Sequence, residues 1–196
     1  MATKKTKLEG AKMERFTIPA RHLKAAMLFQ AKNEVRPFMS GIHLNKAAGR
    51  IEATNGSCLI TLSSEEIKKI PKSMIIRCNG AVPASAVYAE ATIIDDNFGV
   101  FEFSNMERKI KKKDVFDVID WTFIDVERAL PKGDLVKTEK IGFNPEYIAL
   151  AGKAASALGS RTSAVVACFR GPENAIELSI LGVDDDVRIV VMPCRL

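Results

Sequence analysis

A chain of 196 residues with 47% apolar and 27% charged side chains can bury a true core, and its longest apolar stretches, 164–169 and 189–193, are too short to cross a bilayer. The amino terminus carries no apolar signal core, and the net charge of +5 suits a polyanionic partner without requiring one. Cys58, Cys78, Cys168 and Cys194 form no C-x-x-C pair and have only His22 and His43 to complete a metal site, so reduced thiols, a cytoplasmic location and no cofactor are expected.

Residues 1–12 set Lys4, Lys5, Lys7 and Lys12 among small polar side chains, a composition that cannot pack a core, and read as a disordered basic tail. Beyond the tail an internal repeat emerges. Residues 16–23, 81–87 and 141–147 each open with a short apolar strand, continue through a proline and lead into a helix. Pro19, Pro83 and Pro145 suit the first helical position, where the missing N–H costs no hydrogen bond. After the first helix, 38–45, 50–54 and 58–63 read as strands, with tight turns at Ala47-Ala48-Gly49 and Asn55-Gly56. In the second copy a strand at 74–78 precedes a helix at 82–91, and strands follow at 98–104 and 108–118. Residues 120–133 lack strand alternation and end in turn residues, as a connector would. The third copy offers strands at 164–170, 175–180 and 187–192, with turns at Gly171-Pro172 and Asp184-Asp185-Asp186. The expected fold is α+β, with repeated β-α-β-β-β units and helices on one face of antiparallel sheets. Its divisions are the tail at 1–12, a two-unit domain at 13–119, a connector at 120–134 and a one-unit half domain at 135–196.

No constellation for catalysis is present, neither G-x-x-x-x-G-K nor G-x-G-x-x-G nor a zinc spacing, so a non-enzyme is expected. Asp95-Asp96 and Asp184-Asp185-Asp186 would be the residues of a metal-dependent nuclease, but both fall at predicted turns, where acidic side chains occur without function. Lys109, Lys111 and Lys113 alternate along one strand face, with Lys112 opposite, a pattern that serves DNA contact or the protection of a sheet edge.

Three segments, in chain order, are similar to the DNA polymerase III beta-subunit (sliding clamp) family in a shortened form. They are Ile51-Glu52-Ala53-Thr54-Asn55-Gly56-Ser57-Cys58-Leu59, the connector stretch 123–131 that ends Arg128-Ala129-Leu130-Pro131, and Val190-Val191-Met192-Pro193-Cys194-Arg195-Leu196. Residues 141–158 resemble the strand and helix of the last clamp domain. The resemblance implies the DNA-clamp fold and a ring-forming, cytoplasmic, nucleoid-associated processivity factor. Such a factor tethers polymerase to double-stranded DNA without reading its sequence. Peptides of the polymerase and clamp loader would occupy a pocket lined by Thr54, Gly56, Leu59, Arg128, Ala129, Val190, Met192, Pro193, Arg195 and Leu196. Val191, of opposite parity, reads as core. Helix-borne cations would face DNA: Arg21, Lys24 and Lys32 from the first helix, and Lys153 with Arg161 beyond from the third. A merely solvated helix face is the alternative for these five.

The family's turn carries Asp, His and Arg where Asn55, Ser57 and Cys58 stand, and its connector proline is Ile124, so partner choice would differ. A closed homo-oligomer would be a tetramer if each chain holds three units, or a trimer if 121–196 hides a whole domain. The rival expectation is a clamp-fold regulator or decoy that binds clamp-interacting peptides without encircling DNA.

Overall fold

The computed structural model of the protein describes residues 14–32 and 34–194; the expected basic tail lies outside the described residues. β1 (Arg15–Pro19) buries Phe16 and Ile18 and runs directly into α1 (Ala20–Met27). Pro19 sits one position earlier than the repeat suggests. It is the N-cap, with ψ 122°, because it still pairs with Tyr88 as the last residue of β1 while the Ala20 amide donates to the Val87 carbonyl at 2.9 Å.

The expected strand at 38–45 begins later. Pro37–Ser40 close a 3-10 turn and only β2 (Ile42–Asn45) is extended. β3 (Arg50–Thr54), β4 (Cys58–Ser63) and β5 (Met74–Cys78) follow. The helix expected at 82–91 is absent. A single turn at Pro83–Ala86, closed by the Ala86 amide on the Pro83 carbonyl at 3.1 Å, leads into β6 (Tyr88–Ile93). β6 is held on both sides, by β1 and by β7 (Phe98–Ser104), and Ala89 and Ala91 are buried in that ladder. Two flanking strands override the helix propensity of its alanines.

β8 (Ile110–Ile119) starts beyond Arg108, which takes a left-handed φ of 59° in the hairpin turn. The connector contributes one helical turn, α2 (Val126–Ala129), with Asp125 accepting the Glu127 amide at 3.1 Å. The expected strand around Ile141 is a single bridge, Gly142 to Cys194. α3 (Pro145–Leu158) has Pro145 in its first turn and Asn144 as the capping acceptor of the Glu146 amide at 2.9 Å. β9 (Val165–Cys168), β10 (Ile176–Ile180) and β11 (Val187–Val191) complete the chain's regular elements among the described residues.

All strand neighbours are antiparallel, in the order β1-β6-β7-β8-β5-β2-β3-β4-β11-β10-β9. The sheet is continuous across the connector because β4 and β11 pair, Leu59 with Val190 and Leu62 with Val187. α1 packs on α3, on β3 and on β4, and α3 packs on β10 and β11, so both long helices cover one face. Strand alternation gives β4 and β11 two buried faces. Cys58, Ile60, Leu62, Val187, Ile189 and Val191 join the helix-side core, whereas Leu59 and Val190 join a second cluster with Phe123, Val126 and Leu130 of the connector.

His22 at the start of α1 is buried, with Nε2 3.0 Å from an Asp185 carboxylate oxygen but without hydrogen-bond geometry, and with Nδ1 unpartnered. Burial pushes its pKa below 6.5, against the pull of Asp185, so the folded state holds it neutral. Below about pH 6.5 the unfolded chain takes a proton that the folded chain refuses. Urea midpoints are therefore expected to fall as pH drops from 7 through this window, and a His22→Gln variant should lose part of that decline. A pH response identical in the two proteins would rule His22 out as its source.

Candidate partner-binding cleft

Across the sheet from the helices lies a cleft of about 660 Å³, built where the β4·β11 joint meets the connector. Its floor begins with the turn between β3 and β4. Asn55 Oδ1 accepts the amides of Ser57 at 3.0 Å and Cys58 at 2.8 Å, and the Thr54 hydroxyl donates to the Cys58 carbonyl at 2.6 Å while accepting the Gly56 amide at 3.1 Å. Gly56 has φ 90°, and a Cβ there would meet the Met39 methyl at 2.6 Å. The positive φ is what calls for glycine, since the flexible end of Met39 can move away from a Cβ.

Leu59 and Val190 form the strand wall, with Met192 half exposed at the rim. The connector wall is Ile124, Arg128, Ala129, Leu130, Pro131 and Lys132. Arg36, Phe38 and Met39 close one end, and Glu173, Asn174 and Ala175 of the β9–β10 turn close another. Cys58 is also among the lining residues, but its side chain packs in the helix-side core, where burial pushes the thiol pKa up to about 12. Apolar walls with a few polar rim groups are suited to holding a ligand.

The connector is fastened by more than its apolar side chains. Glu52, fully buried, accepts hydrogen bonds from His43 Nδ1 at 2.8 Å and from Arg50 Nε at 3.0 Å. Arg50 reaches onward to Glu127 of α2 at 2.8 Å. Phe123 stacks on His43 with ring centroids 4.8 Å apart and meets Phe38 edge-on at 5.9 Å.

Of the residues expected in the pocket, Thr54, Gly56, Leu59, Arg128, Ala129, Val190 and Met192 line this one cleft. Pro193 is half-buried just past it, and Arg195 and Leu196 lie outside the described residues. Arg36, Phe38, Met39 and the 173–175 turn gave no local signal of their role.

The five cations expected to face DNA do not share one surface. Arg21 pairs with Asp185 at 2.9 Å, and Lys24 donates to the Ala84 carbonyl at 3.0 Å with its pKa lowered by burial. Both line a cavity of about 650 Å³ with Tyr88 and Arg108. α1 ends at Met27, so Lys32 is off the helix; it joins Lys153 in a separate groove of about 520 Å³ between the two helical segments. Arg161 is exposed beyond the end of α3. Lys112 pairs with Asp114 at 2.6 Å and Lys113 with Glu102. Among the described residues no group of three His, Cys, Asp or Glu could hold a metal ion. Asp185 and Asp186 instead tie down the β10–β11 turn, on Arg21 and on the Ser63 hydroxyl.

The whole arrangement matches solved structures. The DNA polymerase III subunit beta from Pseudomonas aeruginosa superposes with a TM-score of 0.61 over 97% of this chain and 69% of that one, at 17% identity. The fold is that of a DNA sliding clamp. The sliding clamp from Bacillus subtilis gives a TM-score of 0.64 at 12% identity, covering 98% of this chain and 67% of that one. The beta subunit from Streptococcus pyogenes gives 0.65 at 11% identity, covering 98% and 69%. No family model and no curated protein matches the sequence.

Proposed function

We propose that this protein is a sliding-clamp tether, a non-enzymatic ring that rides on duplex DNA by its helix side and holds polymerase and loader peptides in the connector-side cleft. The observation that carries this reading is the cleft itself, apolar in its depths and formed at the β4·β11 joint from three segments far apart in the chain. Leu59, Val190 and the adaptable Met192 offer anchors for apolar side chains of an incoming peptide. Lys32 and Lys153, exposed in one groove of the opposite face, suit weak, exchangeable contacts to phosphate rather than sequence readout. The division into a two-unit domain at 13–119 and a half domain at 135–196 belongs to the same reading.

A second reading, a clamp-fold regulator that takes the peptide without encircling DNA, is favoured by two observations. The helix expected at 82–91 is a single turn, and the half of β8 that carries Lys111, Lys112 and Lys113 pairs only with β7, leaving a lysine-lined edge that resists strand pairing. Sedimentation equilibrium separates the two. A ring predicts a trimer or tetramer, about 65 or 86 kDa from a 21.5 kDa chain. A mass that stays at one chain over the micromolar range would sink the ring and leave the regulator.

A further inference from the structure

The cleft is electrically lopsided. Arg128 and Lys132, on the connector wall, are exposed, and among the described residues neither has an ion-pair partner. The neighbouring carboxylate of Glu127 does not neutralise them, because it is engaged by Arg50 at 2.8 Å. Arg36, the third cation of the lining, pairs with Glu34 at 3.2 Å. Among the described residues the lining contains a single carboxylate, Glu173, and it stands on the β9–β10 turn.

We infer that the cleft selects partner peptides whose apolar anchors are flanked by carboxylates, with the acidic side chains lying against Arg128 and Lys132. This rests on the peptide-binding reading above and adds the charge of the partner to it. A neutral flank leaves both cations to water, whereas a basic flank meets them with like charge and finds only Glu173 in compensation. Because the two cations sit at an exposed rim, their effect is one of selection and association rate more than of raw affinity. Two such pairs amount to about fivefold in Kd at low salt. The effect is screened as the Debye length shrinks from about 14 Å at 0.05 M to about 4 Å at 0.5 M salt.

The test uses the full chain and three labelled peptides with the same leucine anchors, flanked by Asp, Asn or Lys, in fluorescence anisotropy titrations. The expected order is Asp tightest, then Asn, then Lys, with the spread narrowing from about fivefold per step to less than twofold at high salt. The Arg128→Glu, Lys132→Glu double variant should invert the order of the Asp and Lys peptides. If the Asn peptide binds but the Asp peptide binds no better, the charge inference fails while the peptide cleft stands. If the Asn and Asp peptides both fail to bind, the cleft reading itself falls and takes the inference with it.

Discussion

Glu52→Ala is expected to lower the free energy of unfolding by about 3–5 kcal/mol, the cost of leaving the mostly buried Arg50 guanidinium without its inner counter-charge. Glu52 is fully buried at the centre of β3, and it is the shared acceptor for His43, Asn45 and Arg50. Removing it strands Arg50 between a cavity and the exposed Glu127, so the ion pair that pins α2 loses its inner anchor. Urea unfolding should show a lower midpoint with an unchanged slope, and trypsin should cut the connector at Arg128 and Lys132 faster than in the parent. A loss under about 1 kcal/mol would mean that water replaces the carboxylate and that the network is not what fastens the connector.

Phe123→Ala is expected to cost about 3–4 kcal/mol, combining lost burial with loss of the stack on His43 and the edge contact with Phe38. Its second consequence reaches the cleft. Phe123 is the side chain that seats the start of the connector on the sheet, and the same connector supplies Ile124, Arg128, Ala129 and Lys132 to the lining. A loosened wall must be ordered again by each ligand, so affinity for an apolar peptide should drop about tenfold, the factor expected when the competent state is one-tenth populated. Unchanged affinity in a variant that still loses the stability would show that the connector wall forms independently of Phe123. Because His43 touches both Phe123 and Glu52, the double variant should cost less than the two single losses together.

Much of this architecture is written in local chemistry. The Asn55-Gly56 turn, the alternation that sends Leu59 and Val190 to the cleft while Ile60 and Val191 enter the helix-side core, and the Asn144-Pro145 start of α3 all follow from residues a few positions apart. What the sequence hides is set by distant partners. Residues 82–91 look helical until β1 and β7 take the hydrogen bonds of β6 from either side. Lys32 falls in line with Arg21 and Lys24 only on a helix that continues, and α1 stops at Met27. Arg36 and Glu173 become neighbours of the cleft because β4 pairs with β11, a joint that no local signal announces.

That joint also has a price in time. During synthesis Leu62 must wait for Val187, roughly 125 positions later, which at about 5–20 residues per second leaves the edge of β4 away from β3 unpaired for about 6–25 seconds. Through that interval a nascent chain on the ribosome shows the strand Cys58-Leu59-Ile60-Thr61-Leu62 as a bare, greasy edge, open to any sticky neighbour and attractive to a chaperone.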